Sequence, residues 1–294
     1  MTLSTWRQRG QTLHWRDFSI FYRDSAADAP SALRKPVLLL IHGFPTSSLD
    51  FEPVWPRLAE QFRLVAFDML GYGCSDKPAR WQYSIAQQAD IAEALMVHLD
   101  IGRVRLITHD VGDTVGQELL ARFNAGQLGF HMEQLVLLNG GLFPETHRAL
   151  PIQRLLLSPV GPLLSRFTNY RKFRESLRNV CSEGLQEKDI EDAWAQMTLN
   201  DGHRRFHQLI RYIQERRDNR SRWVGALQQA RCPLAVIDGV EDPISGGHMV
   251  DRFEELVPGH PTVRLAGLGH YPHLENPQRF IEALASVLPQ PNGL

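Results

Sequence analysis

This chain is short of cysteine, of net charge and of long apolar runs, and each shortage removes a class of function. Its 294 residues include only Cys74, Cys181 and Cys232, widely spaced and in no metal-ligand pattern, so they read as reduced thiols rather than a disulfide framework. A formal net charge of −1 gives no whole-chain electrostatic case for nucleic acid or a membrane surface. No apolar run approaches the ~18–20 residues of a membrane span. The first thirty residues carry Arg7, Arg9, Arg16, Asp17, Arg23 and Asp24 and lack the apolar core of a signal peptide. The expectation is a cytoplasmic protein, monomer or homodimer, without stable membrane insertion. Internal repeats and low-complexity linkers are missing too. So is any Gly-x-Ser-x-Gly, which argues against a serine esterase.

What is present is ordinary globular composition, 43% hydrophobic and 22% charged, ample for a sizeable core. Residues 12–15 and 18–22 alternate with period two, like an opening antiparallel pair. Residues 37–41 form the continuous apolar run of a parallel strand covered on both faces, and 63–68 read as the next strand. A helix is expected at 84–99, then a strand at 104–108, a helix at 114–123 and a strand at 134–138. The alternation stops after Asn139. Up to about residue 228 the pattern is helical, with Phe206, Leu209, Ile210 and Ile213 at helical spacing. Strands resume at 233–237 and 262–265, and a last helix covers 279–287. The expected fold class is α/β: a mostly parallel central sheet flanked by helices. Residues 1–143 and 229–294 would form its core around an inserted helical cap, 144–228.

Thr108, Asp110 and Gly112 have the small-x-nucleophile-x-small spacing of a nucleophile elbow, a strand-to-helix turn too sharp for bulky neighbours. Here the nucleophile position holds a carboxylate. Asp242 and His270 follow in the order such a site requires. Each, like Asp110, stands at the carboxyl end of an expected strand, the edge where open α/β sheets bind ligands. Singly they are everyday turn residues; together, and with the turn His42-Gly-Phe-Pro45, they point to a catalytic triad. A carboxylate attacks saturated carbon, opening an epoxide or expelling a halide, and is left as an ester. Water activated by His270, oriented by Asp242, then attacks that ester. The backbone N–H groups of Phe44 and Val111 are the expected oxyanion hole, and Phe44-Pro45 is a candidate cis bond.

No cofactor is expected. His270, His273 and Glu275 could suggest a metal, but Pro272 interrupts any helix needed to align them, so none is expected. The loop Gly71-Tyr-Gly-Cys-Ser-Asp76 lacks the third glycine of a dinucleotide fingerprint. The arginines at 211, 216, 217, 220 and 222 read as a solvated surface of the cap.

The motifs His42-Gly-Phe-Pro45, Gly71-Tyr-Gly-Cys-Ser-Asp-Lys-Pro78, His109-Asp-Val-Gly112 and Gly269-His270 resemble the epoxide hydrolase and haloalkane dehalogenase branch of the α/β-hydrolases. Longer stretches, at 109–120, 138–148, 222–227 and 270–277, are similar to the mesoderm-specific transcript protein and its bacterial relatives. The resemblance implies an α/β-hydrolase fold acting on a small apolar electrophile with water. Within that branch the residue after the nucleophile is usually Trp in haloalkane dehalogenases and Arg in fluoroacetate dehalogenases. Val111 is neither, which weakens dehalogenation, although Trp194 or Trp223 could supply an indole N–H. Epoxide hydrolases resemble one another in using cap tyrosines to donate to the epoxide oxygen. Tyr212 is placed as the second of these, and Tyr170 is the candidate for the first. His42 and Asn139 complete the expected substrate-binding set, with Glu145 and His147 as further possible helpers. The expected function is epoxide hydrolysis to a diol through an ester on Asp110. The rivals are a dehalogenase with the same triad and a hydrolase-shaped binding protein without turnover.

Overall fold

The computed structural model describes residues 3–182 and 184–289 and contains one eight-stranded sheet in the order β1-β2-β4-β3-β5-β6-β7-β8. The strands are β1 (Gln11–Trp15), β2 (Phe18–Asp24), β3 (Val37–Ile41), β4 (Arg63–Phe67), β5 (Arg103–His109), β6 (His131–Leu138), β7 (Leu234–Gly239) and β8 (Thr262–Leu265). β1 pairs antiparallel with β2, as the period-two pattern implies, and β2 pairs antiparallel with β4. The other neighbours are parallel. Successive side chains of a strand point to opposite faces, so the apolar run of β3 supplies both. Leu39 and Ile41 join a core on one face of the sheet, Leu38 and Leu40 a second core on the other.

Crossover helices cover those faces. Ser84 caps the helix Ile85–His98 by accepting from Gln87 N–H. The helix after β5 runs Val111–Asn124, three residues earlier than its apolar periodicity indicates, because the elbow turns directly into it. A helix at Gly247–Leu256 is absent from the sequence reading. Its apolar residues Met249, Val250 and Phe253 are sparse, and it is held by packing beneath the sheet rather than by a long periodic pattern. Between β6 and β7 the described residues form helices and turns, with helices at Pro151–Leu157, Gly161–Arg166, Tyr170–Arg178, Glu187–Thr198, Phe206–Leu209, Tyr212–Asp218 and Arg220–Gln228. Among the described residues, no helix is long and apolar enough to cross a membrane. The three cysteines are unpaired.

Candidate active site

The elbow is built by steric exclusion. Asp110 follows β5 with φ 47° and ψ −107°, a left-handed conformation that costs a non-glycine residue of order 1–3 kcal/mol. Its N–H donates to Leu138 C=O at 3.1 Å, tying the turn to β6. Gly112 is required because a Cβ there would collide with the carbonyl oxygens of Ile41 and His42. Thr108 Oγ1 donates to Asp113 Oδ1 at 2.5 Å, and Leu138 N–H donates to the same oxygen at 3.2 Å. Burial raises the Asp113 carboxyl well above its ordinary range, and these two bonds fix it under the turn.

Asp110, Asp242 and His270 follow β5, β7 and β8 and converge. His270 Nδ1 lies 2.7 Å from Asp242 Oδ2, and His270 Nε2 lies 4.0 Å from Asp110 Oδ2. Asp242 is held by Ile244 N–H at 2.8 Å and Ser245 Oγ at 2.9 Å. With Asp242 accepting the Nδ1 proton, Nε2 faces Asp110. Burial opposes charge on all three. For His270 the carboxylate of Asp242, and then that of Asp110, outweighs it and raises the imidazole to about 9. For Asp110 burial is outweighed by His270, Arg216 and His109, and its pKa is lowered. The Asp242 pKa is lowered against burial by His270. His270 therefore lies between two carboxylates that favour its protonated form.

Phe44 N–H donates to Asp110 Oδ2 at 3.0 Å, across the cis bond Phe44-Pro45. Val111 is the first residue of its helix, where N–H groups have no partner within the helix. Of the two expected oxyanion donors, Phe44 N–H thus touches the carboxylate, and Val111 N–H opens the helix at the next residue. Tyr212 is buried with its ring centroid 5.9 Å from that of Phe44, close enough for the Asp110 charge to help burial raise its pKa well above 10.

Three other expected site residues are used differently. His42 Nδ1 bonds Gly43 C=O at 2.8 Å and His42 Nε2 accepts from Met69 N–H at 3.1 Å, so both ring nitrogens are spent on loop backbone rather than on a substrate. Asn139 bonds Gly239 on both amide atoms, at 3.1 and 2.9 Å, and reaches Asp242 Oδ2 at 3.2 Å; it joins β6 to β7 and steadies the acid. Tyr170 does not reach the site: its hydroxyl donates to Glu187 at 2.5 Å at the edge of the helical insertion. Trp223 Nε1 donates to Glu118 at 2.9 Å and Trp194 packs on Phe173 and Tyr170. Glu145 pairs with Arg220 and Arg252.

Arg216 overturns the expectation of a solvated arginine surface. Arg211, Arg217, Arg220 and Arg222 are exposed, but Arg216 is 2% exposed. Its Nε donates to Thr114 Oγ1 at 2.7 Å, and Nη2 donates to Asp110 C=O at 2.9 Å and lies 3.5 Å from Asp110 Oδ1. The guanidinium also covers the Tyr212 ring, 4.6 Å from its centroid. A signal was present: Arg216 is four residues after Tyr212 and so on the same side of a helix.

A cavity of about 150 Å³ reaches Asp110 and His270, walled by Phe44, Leu156, Phe173 and Phe206 among others. Its lining suits an apolar ligand. Behind His270, Asp50, His109 and His273 each bring a ligand atom within 4.8 Å of the others. These three are the described residues able to hold a metal, not the set with Glu275, whose carboxylate instead accepts from Gly269 and Tyr271 N–H. Burial raises Asp50 to about 8 and lowers His109 to about 3.

Residues 36–277 match the family model described as alpha/beta hydrolase fold. The mesoderm-specific transcript homolog protein of Bos taurus is 39% identical over 96% of this chain and 86% of its own length. The hydrolase LipZ of Mycobacterium tuberculosis is 36% identical over 96% of both chains. Among solved structures, a haloalkane dehalogenase DbeA loop variant from Bradyrhizobium elkanii superposes with a TM-score of 0.77 at 21% identity, covering 94% of this chain and 95% of its own. That likeness concerns the fold.

Proposed function

This chain belongs to the alpha/beta hydrolase fold family, and from that premise we propose that it is a hydrolase with an aspartate nucleophile that opens an epoxide to a diol. The observation that carries this reading is the placement of His270 between Asp242 at 2.7 Å and Asp110 at 4.0 Å, with Phe44 N–H already on the Asp110 carboxylate. Residues 144–228 act in this reading as the cap, over a core of 1–143 and 229–294.

The Asp110 carboxylate attacks one epoxide carbon, the carbon–oxygen bond breaks, and the ring oxygen takes a proton from Tyr212. A hydroxyalkyl ester remains on Asp110. Esterification removes the Asp110 charge, one of the two carboxylates that favour protonated His270, so the imidazolium gives its Nε2 proton through solvent to the Tyr212 phenolate and becomes the neutral base that the second step needs. Water in the gap beside Nε2 gives one proton to neutral His270 as its oxygen attacks the ester carbonyl carbon. The N–H groups of Phe44 and Val111 hold the oxyanion. Collapse breaks the bond from that carbon to the alkoxide, which takes the proton from His270 and leaves as the diol; the Asp110 carboxyl then passes its own proton to His270, restoring the carboxylate and the imidazolium.

His270→Gln tests this by permitting attack and stalling hydrolysis. After incubation with a panel of epoxides and haloalkanes, intact and peptide masses are expected to show the gain of a whole epoxide on Asp110. A gain of an alkyl group without its halogen would assign the protein to dehalogenation. No adduct in a folded protein would sink the nucleophile itself.

A further inference from the structure

Eight large apolar side chains are strongly exposed among the described residues, and six of them fall on one short stretch: Ile152, Leu155, Leu157, Val160, Leu163 and Phe167. Ile152, Leu155, Leu157 and Leu163 lie on the helices Pro151–Leu157 and Gly161–Arg166, which pack on one another, and Val160 and Phe167 flank the second. Scattered exposed apolar side chains are ordinary, but a concentration of this kind marks a surface that something covers. Phe167 is 64% exposed. It, Ile152 and Lys172 also line the cavity that reaches Asp110, so the cavity opens onto the patch.

Charge identifies what covers it. Residues 148–178 carry seven arginines and lysines and, as their one acid, Glu175. Arg171 pairs with Glu175, and Arg174 and Arg178 with Glu187. Arg148, Arg154, Arg166 and Lys172 are exposed and have no ion-pair partner among the described residues. A second copy, meeting this one through the same patch in a two-fold contact, would set those cations against each other. An anionic surface would neutralise them. A neutral sum over the whole chain conceals this local excess.

We propose that this face docks on the anionic headgroups of a lipid membrane. The apolar side chains enter the headgroup–acyl boundary to a depth of ~5–10 Å, while the basic side chains extend along them to the phosphates. Attachment is peripheral, since no helix among the described residues can span. The cavity mouth then faces the bilayer, and a lipophilic substrate reaches Asp110 without crossing water. The docking itself does not depend on the chemistry assigned to Asp110.

The test is flotation of the full chain with phosphatidylcholine vesicles, with and without phosphatidylserine. Two double variants accompany it: Leu155→Ser with Leu163→Ser, and Arg154→Glu with Arg166→Glu. All four positions are exposed and none lines the cavity, so the fold is expected to survive, as an unchanged melting temperature would verify. The expected result is binding to phosphatidylserine vesicles that weakens with salt and falls by at least about tenfold in either variant. Absence of flotation, or flotation that neither variant alters, overturns the proposal. So does a dimer in sedimentation that the serine variant dissolves while no vesicle binding is seen; the patch would then be an interface between copies.

Discussion

Arg216 sets the charge around the nucleophile more than any residue outside the triad. It comes from the helical insertion, yet its contacts are with the elbow: Thr114 Oγ1, Asp110 C=O and, at 3.5 Å, the Asp110 carboxylate. It therefore holds the strained turn and favours the ionised nucleophile. The groups that act on Asp110 are His270, Arg216, His109 and Phe44 N–H, and only ionised Asp110 can attack. Removing a neighbouring positive charge raises a carboxyl pKa, so Arg216→Met is expected to move the acid limb of Asp110 alkylation to higher pH. It should also slow alkylation roughly 10- to 100-fold through misplacement. Arg216→Lys should restore the limb without the full rate, since one ammonium cannot span both Thr114 and Asp110. The pH profile measured in the His270→Gln background checks this, and an unmoved acid limb in Arg216→Met would reduce Arg216 to packing. The sequence offers only the four-residue spacing from Tyr212 as a signal for this role, since an arginine among five arginines has no other local feature that distinguishes burial from exposure.

At the scale of elements, the elbow depends on how closely two segments approach. The helix Val111–Asn124 begins directly against the carbonyl end of β3, where Gly112 leaves no room for a side chain. Gly112→Ala is expected to destabilise the fold by about 1–3 kcal/mol and to displace Asp110. Gly225→Ala, in the helix Arg220–Gln228 with open space around it, should instead stabilise by about 0.5–1 kcal/mol. Urea denaturation of the pair is the measurement, and equal stabilities would contradict the steric account. This element was legible: the spacing of Thr108, Asp110 and Gly112 predicts a turn of this kind without any knowledge of β3. Its helix start was not, because the first turn is placed by the elbow rather than by apolar periodicity.

For the whole molecule, stability of the insertion on the core turns on Glu118. This nearly buried carboxylate accepts from Arg222 at 2.7 and 3.0 Å, from Trp223 Nε1 at 2.9 Å and from Arg122 at 3.0 Å. Glu118→Ala would strand an indole N–H and two guanidinium groups at the seam, and is expected to cost about 2–4 kcal/mol. Glu145 also bridges two arginines, Arg220 and Arg252, but in solvent; Glu145→Ala should cost less than about 1 kcal/mol. Denaturant midpoints compare the two, and similar losses would refute the distinction. The sequence by itself determined the strand series, the helical insertion and the chain order Asp110, Asp242, His270, because period, spacing and turn chemistry are local properties that survive in one dimension. Only the tertiary structure decided which side chains reach the carboxylate. It spent His42 and Asn139 on the backbone, turned Tyr170 outward, brought Arg216 in and left six apolar side chains of 152–167 uncovered. Those outcomes depend on how helices distant in sequence pack against the sheet, and no local pattern encodes that packing.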